Sequence, residues 1–242
     1  MNAITTVGLT KKYPTTLAVD SLDLQIRSGE LFALLGINGA GKTTTVKMLT
    51  CLTRPTAGEA VVGGSSVITD PLKVKSLIGV SPQETAVAPN LTVKENLELM
   101  CRFHGFSKEK RKAQIQTLAK EFGLEDILHR KAGKLSGGYQ RRVSIAMALT
   151  GDPSILFLDE PTLGLDVLAR RELWDFIRRL KGSVTVILTT HYMEEAAALS
   201  DRIGIMKDGR LLTVGSAQAL MEMTSAPTFE DAFISIVKGD TL

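Results

Sequence analysis

The sequence predicts an α/β fold, and three observations lead to it. Continuous apolar runs at Leu31 to Leu35, Ile155 to Leu158 and Val184 to Leu188 read as strands buried on both faces. Segments with helical spacing alternate with them, notably Lys108 to Phe122 and Ala169 to Leu180. The first apolar run also ends in the glycine-rich turn Gly36-Ile37-Asn38-Gly39-Ala40-Gly41-Lys42-Thr43-Thr44, which leads straight into a helical stretch.

Length and composition set the outer limits. At 242 residues the chain can bury a sizeable core, as one large domain or two small ones. Apolar residues at 44% and charged residues at 23% exclude a disordered chain. The net charge of +3 gives no electrostatic argument for nucleic acid. Cys51 and Cys101 fit no metal spacing and no disulfide framework, so a reducing cytosol is the expected compartment. The start Met1-Asn2-Ala3-Ile4 lacks the basic and apolar regions of a signal peptide. No stretch approaches the roughly 18 apolar residues of a membrane span, so any membrane role is expected to pass through a partner.

From Ile4 to Arg27 a loose alternation broken by Pro14, then Ser28-Gly29, predicts two short strands and a turn. Tyr13 in that turn is either a packing residue or a platform for a base. The glycine turn fits the pattern G-x-x-x-x-G-K-[ST], in which the backbone passes close around a polyphosphate and presents its N–H groups to it. Lys42 adds a point charge for the β and γ phosphates, and the Thr43 hydroxyl is placed to hold Mg²⁺.

Glu59 to Val62 then reads as a short strand between turns, and Leu77 to Ser81 as a buried strand stopping at Pro82-Gln83. Gln83 is an ordinary loop glutamine by spacing alone, although strand ends of open α/β sheets often face ligands. Thr92-Val93-Lys94-Glu95 fits a capping box, continued loosely by Leu97, Leu99, Met100 and Phe103. The second amphipathic segment turns Ile115, Leu118, Ala119 and Phe122 to one face, and its run Lys108, Lys110, Arg111, Lys112 reads as a solvated surface. Together these form an all-helical insertion from about Leu91 to Thr150.

That insertion holds Leu135-Ser136-Gly137-Gly138-Tyr139-Gln140-Arg141-Arg142 ahead of a helix from Val143 to Leu149. It is a second helix start with free N–H donors, and Ser136 serves either an anion or a plain N-cap. The run Ile155 to Leu158 ends in Asp159-Glu160. An acid at the end of such a strand, beside a phosphate loop, is the usual second holder of Mg²⁺, which assigns Asp159 to metal. Glu160 is left free to orient or deprotonate a water. A loop, Pro161 to Asp166, precedes the amphipathic helix with Leu173, Trp174, Ile177 and Leu180 inward. The next strand runs through Thr189-Thr190 to His191, placed to reach a γ-phosphate or its water. A hairpin, Ile203 to Met206 and Arg210 to Val214, a short helix from Ala217 and a segment Phe229 to Val237 end the chain.

Taken together, these residues resemble the nucleotide-binding subunit of an ATP-binding cassette (ABC) transporter over almost the whole length. Tyr13 matches the adenine-stacking aromatic, Gly36 to Thr44 the Walker A loop, and Gln83 the Q-loop glutamine. Leu135 to Tyr139 match the family signature, Ile155 to Asp159 Walker B, Glu160 the catalytic glutamate, Leu165-Asp166 the D-loop, and His191 the switch histidine. The resemblance implies a P-loop NTPase cassette: a RecA-like mixed β core with an antiparallel β subdomain and an inserted α-helical subdomain. Residues 1–90 and 151–227 would form the ATPase core with its β subdomain, 91–150 the helical subdomain and 228–242 a short tail.

The same resemblance implies ATP and Mg²⁺ as cofactors. Asn38, Gly39, Ala40, Gly41, Lys42, Thr43 and Thr44 would bind the nucleotide on one chain, with Tyr13. Ser136, Gly137, Gly138 and Asp166 would meet the nucleotide of a second ATP-binding subunit paired head to tail. Thr43, Gln83 and Asp159 would hold the metal, and Glu160, His191 and Gln83 would carry catalysis. A transmembrane permease subunit is the expected partner, placing the chain at the cytoplasmic face of the membrane, and no nucleic acid is expected. Tyr139 departs from the commoner glutamine of the signature, a change found in exporter-type relatives. Leu135 to Arg142, Pro161 to Asp166 followed by Val167, His191 to Ala196 and Thr228 to Phe233 are similar to ATPases of ABC-2 type exporters, including daunorubicin-resistance-like ones, and the expected absence of a long regulatory C-terminal domain mildly favours export. The alternative from another class is a soluble ABC ATPase acting on a cytosolic macromolecular complex, although such relatives usually carry two cassettes or a long coiled-coil insertion.

Overall fold

A computed structural model of the chain describes residues 1–239. In chain order its elements are β1 (Asn2–Tyr13), β2 (Thr16–Arg27), β3 (Leu31–Leu35), α1 (Lys42–Leu49), β4 (Ala57–Val62), β5 (Ser65–Ser66), α2 (Pro71–Leu77) and β6 (Ile78–Ser81). There follow α3 (Val93–Phe103), α4 (Lys108–Glu121), two short 3-10 turns, α5 (Gly137–Leu149), β7 (Ile155–Asp159) and α6 (Val167–Leu180). The chain closes with β8 (Thr185–Thr190), α7 (Met193–Leu199), β9 (Arg202–Lys207), β10 (Arg210–Gly215), α8 (Ala217–Thr224) and α9 (Phe229–Lys238). The last three residues of the expected 228–242 tail lie outside the described residues.

The strands form two sheets, a four-stranded antiparallel one ordered β2-β1-β4-β5 and a six-stranded one ordered β10-β9-β3-β8-β7-β6. In the larger sheet every pairing is parallel except β9 with β10. All five residues of β3 are fully buried, because the strand is covered on both faces. Leu31, Ala33 and Leu35 join a core shared with α3 to α7 and α9, whereas Phe32 and Leu34 join one with β1, β2, β4 and α1. The alternation of β3 therefore ties the two cores together.

Several elements differ from expectation, each for a physical reason. The two short N-terminal strands are in fact 12 residues each, paired along their length with register shifts that blur the period-two pattern. Gly8 and Ser21, at φ of 55° and 49°, mark these irregularities, and the Thr6 hydroxyl fills one by donating to Leu22 O and accepting from Leu24 N. The signature helix begins at Gly137 rather than Val143, since two adjacent glycines weaken helical propensity without forbidding it. Helix α2, which buries only Val74, and helix α7 carried no distinct sequence signal. On α3 the buried apolar positions are Val93, Leu97 and Cys101, and Leu99 and Phe103 face solvent.

Helices α3, α4 and α5 fall between β6 and β7, and the insertion is fastened at its entrance. Thr92 and Glu95 close the capping box, with Thr92 N donating to Glu95 Oε2 at 2.7 Å and Glu95 N to Thr92 Oγ1 at 3.2 Å. Buried Asn96 accepts from Ala88 N at 2.8 Å and donates to Thr92 O at 2.9 Å. Within the parallel set, β3, β8, β7 and β6 are neighbours in that order, so their carboxyl ends deliver the phosphate loop, His191, Glu160 and Gln83 to one edge.

Candidate active site

At this edge lies a cavity of about 460 Å³ lined by Asn38 to Thr44, Gln83, Glu160 and His191, with Thr16 to Ala18 on one wall. The loop wraps it because of its glycines. Gly41 stands at φ 99°, and a Cβ there would meet Ala18 O at 2.4 Å. Gly36 has Met206 O 2.5 Å from where a Cβ would be. Gly41 is also the N-cap of α1, so the first free N–H groups of that helix open toward the cavity. Lys42 Nζ donates to Gly36 O at 2.7 Å and Ile37 O at 3.2 Å and sits 3.5 Å from Glu160 Oε1.

Of the two acidic residues at the end of β7, Glu160 lines the cavity and Asp159 lies behind Thr43. The Thr43 hydroxyl donates to Asp159 Oδ1 at 3.2 Å, and the Thr189 hydroxyl donates to the same oxygen at 2.5 Å. Thr189 Oγ1 also accepts from Glu160 N at 3.0 Å, so one side chain of β8 orients both acids. Glu160 takes φ 48°, a left-handed conformation that costs a non-glycine residue about 1 kcal/mol. Such strain persists only where its surroundings enforce it, and it gathers at functional positions. Its Oε2 lies 2.8 Å from His191 Nδ1, and Tyr192 packs on the imidazole at 4.1 Å between ring centroids.

Gln83 lines the cavity from the end of β6, and its position is set by a residue the sequence reading did not single out. Arg141 of α5, 4% exposed, donates to Pro82 O at 2.6 Å and to Gln83 O. Burial pushes its guanidinium down from the ordinary value, while Asp159 pulls it back up. Only its place directly after the signature hinted at this, and an arginine in a helix is read by default as surface. Thr189 was likewise legible only as the penultimate residue of a strand.

Other expected site residues lie elsewhere. Tyr13 is exposed at the end of β1, with Lys11 Nζ 5.2 Å from its ring, and is not among the cavity-lining residues. Asp166 caps α6, its carboxylate accepting from Ala169 N at 2.9 Å, so the helix begins two residues earlier than expected. Ser136 is the N-cap of α5 with no side-chain capping bond, and with Gly137 it is exposed. Gly138 lets this helix start lie against α6, since a Cβ there would stand 3.1 Å from Ala169 Cβ. Ser136, Gly137 and Gly138 do not line the cavity.

A glycine loop on a helix N-terminus, with a hydroxyl and a carboxylate beside it and a second acid facing the cavity, defines a nucleoside triphosphatase. The donor set fits Mg²⁺: Thr43 and Asp159 offer two adjoining oxygens, as a hard cation sharing its shell with phosphates and water requires. The sequence profile of the ABC transporter family matches residues 19–163. The chain is 41% identical over 223 residues to a daunorubicin resistance ATP-binding protein, DrrA3, of Streptomyces coeruleorubidus, covering 92% of this chain and 71% of that one. It is 41% identical to Nod factor export ATP-binding protein I of Burkholderia orbicola, covering 88% of this chain and 70% of that one. Among solved structures, a dimeric ATP-binding cassette in a post-hydrolysis state bound to ADP and Pi superimposes with a TM-score of 0.79 at 29% identity, covering 88% of this chain and 98% of that one. The chain belongs to the ABC transporter family, as its ATP-binding and ATP-hydrolysing subunit.

Proposed function

We propose that the chain powers export through a separate transmembrane subunit of ABC-2 type, pairing head to tail with a second ATP-binding subunit around MgATP. The observation that carries this reading is a division of labour. Lys42, Thr43, Glu160 and His191 line one cavity, with Asp159 bonded to Thr43 behind it, while Ser136, Gly137 and Gly138 stand outside it with an unbonded hydroxyl. Similarity to the drug-resistance and Nod factor export proteins supports the export direction. Among the described residues no helix is long and apolar enough to cross a membrane, which fits a subunit held at the cytoplasmic face by a permease.

In this reading the ATPase core is 1–90 with 151–227, the helical subdomain 91–150 and the tail 228–242. The loop amides and Lys42 hold the β and γ phosphates, Asn38 to Thr44 enclose them, and Tyr13 reaches the base from the adjacent strand end. Thr43, Asp159 and Gln83 would hold Mg²⁺, which supplies charge neutralisation on the phosphate oxygens when bound. Glu160 accepts a proton from the attacking water as the bond from the γ-phosphorus to its bridging oxygen breaks. His191, already bonded to Glu160, steadies that water and the γ-phosphate. Ser136, Gly137, Gly138 and Asp166 meet the nucleotide of the second subunit. The permease would bear on the junction that Arg141 makes between Gln83 and α5.

The test is assembly of the Glu160→Gln chain with MgATP, followed by sizing. An ATP-dependent dimer that is lost on adding Ser136→Glu is expected, and a monomer at saturating MgATP overturns the shared site. Lys42→Ala should abolish nucleotide binding itself, measured by fluorescent ATP titration. Co-purification with a polytopic membrane protein tests the transport reading.

A further inference from the structure

Glu195 is a carboxyl that the mechanism above does not use, and it is fully buried. It sits on α7, behind the catalytic edge. Its Oε1 accepts from Trp174 Nε1 of α6 at 3.1 Å. Its Oε2 has no partner in hydrogen-bond geometry, and neither has the hydroxyl of Thr162, equally buried two residues beyond Glu160. Burial pushes the Glu195 carboxyl up from its ordinary value. The nearby Thr190 and Thr162 hydroxyls and the Trp174 donor oppose that, and the charge of Glu160 adds to it.

These neighbours are not scattered. Thr162 belongs to the loop that leaves Glu160, Thr190 directly precedes His191, and Trp174 is on the helix whose start holds Asp166. Three segments that carry the proposed reaction centre therefore lie close to one carboxyl, which is hydrogen-bonded to Trp174 and leaves its other oxygen and the Thr162 hydroxyl unpartnered. The backbone of Glu160 is in a left-handed conformation, which needs support from its surroundings. Its amide is held by Thr189, but the loop beyond it turns on Thr162, whose hydroxyl has no partner besides the approach of Glu195.

We infer that Glu195 is a positioning residue: its carboxyl joins the loop after Glu160 to the strand end before His191 and so fixes the geometry of the Glu160–His191 pair. The inference rests on the catalytic reading of Glu160 and His191 given above. An apolar side chain of the same size would fill the space without linking the segments, whereas glutamine keeps both an acceptor and a donor. A residue acting only by packing would behave in the opposite way.

The experiment compares Glu195→Gln and Glu195→Met in the full chain, with ATP affinity, kcat and melting temperature measured on each. Displacement of reacting groups by about an ångström costs roughly tenfold to a hundredfold in rate. The expected result is a kcat loss of about tenfold or more in Glu195→Met at unchanged ATP affinity, with Glu195→Gln keeping most of the rate. Thr162→Val should reproduce the Met variant and add little to it, and stands in for it should that variant not fold. Equal kcat in the Gln and Met variants, or a Thr162→Val chain at full rate, overturns the inference. Glu160→Gln run in parallel separates the two readings. Full turnover there overturns the catalytic assignment, whereas a slow Glu160→Gln beside a fully active Glu195→Met overturns only the role of Glu195.

Discussion

The glycine-bearing helix starts at α1 and α5 are built in opposite ways. At α1 the polar groups are engaged at once: Lys42 is buried among two carbonyls and Glu160, and Thr43 is bonded to Asp159. At α5 the Ser136 hydroxyl makes no capping bond and faces solvent, although Thr92, Ser107, Ser216 and Thr228 each cap their own helix. A serine at an N-cap ordinarily satisfies its helix. One that does not is free to serve a ligand outside the chain, which is the role proposed above for Ser136: the first start would form one half of a site and the second would be offered to another copy.

The largest effect is expected where the first half would do its chemistry. Glu160→Gln removes the proposed proton acceptor but keeps shape, and should lower kcat by about two to three orders of magnitude with ATP affinity retained. Single-turnover hydrolysis against a binding titration checks it, and a rate within a factor of a few of the native one breaks the assignment. Gly41→Ala should come next. Its Cβ would press on Ala18 O at 2.4 Å from a φ of 99°, and no rotamer relieves a backbone clash. Gly39→Ala, at φ 85° with nothing within 4 Å, incurs only the conformational cost of about 1–2 kcal/mol. ATP affinity should therefore fall far more in the first variant than in the second, and equal losses would mean that the loop opens freely at Gly41.

How much of this was legible depends on whether a signal is local. The phosphate loop, the strand ending in Asp159-Glu160 and the capping box at Thr92 are each complete within a few residues, so spacing alone exposed them. Families of buried contacts made by distant segments were not legible: Arg141 reaching Pro82 and Gln83, Thr189 linking Asp159 and Glu160, and Trp174 meeting Glu195. The lengths of β1 and β2 were missed because bulges interrupt the alternation that reveals strands. Asp166 shows a third case, where the residue was found but its role within the chain, capping α6, is one that any aspartate before a helix fills.

A pair of serine substitutions sharpens the contrast between helix starts at smaller magnitude. Ser107 accepts from Lys110 N at 3.2 Å and so caps α4, and Ser107→Ala should cost about 1 kcal/mol of stability. Ser136→Ala removes no such bond and should change stability by less than about 0.5 kcal/mol, while ATP-driven dimerisation and turnover fall. Chemical denaturation of both variants beside an ATPase assay reads the difference. A destabilised Ser136→Ala with normal turnover would return Ser136 to the plain capping role.

The smallest effect concerns Glu195→Gln, which should keep most of the rate and show itself in the pH dependence of stability. The Glu195 carboxyl, ordinarily titrating at 4.5, is raised in the folded chain, chiefly by burial. Between the unfolded and folded values the native state therefore holds a proton that the unfolded chain has released. Stability contributed by the neutral acid is then whole below the unfolded value and is lost as pH rises through the folded one. Glutamine has no proton to lose, and the carboxylate of Glu160, which faces this group, is present in both chains. Melting temperatures of the native and Glu195→Gln chains should accordingly lie close together in acid and diverge above it, with the native chain falling more steeply. Parallel curves across that range would mean that Glu195 titrates as freely when buried as it does unfolded, and that the polar contacts around it offset the cost of burying its charge.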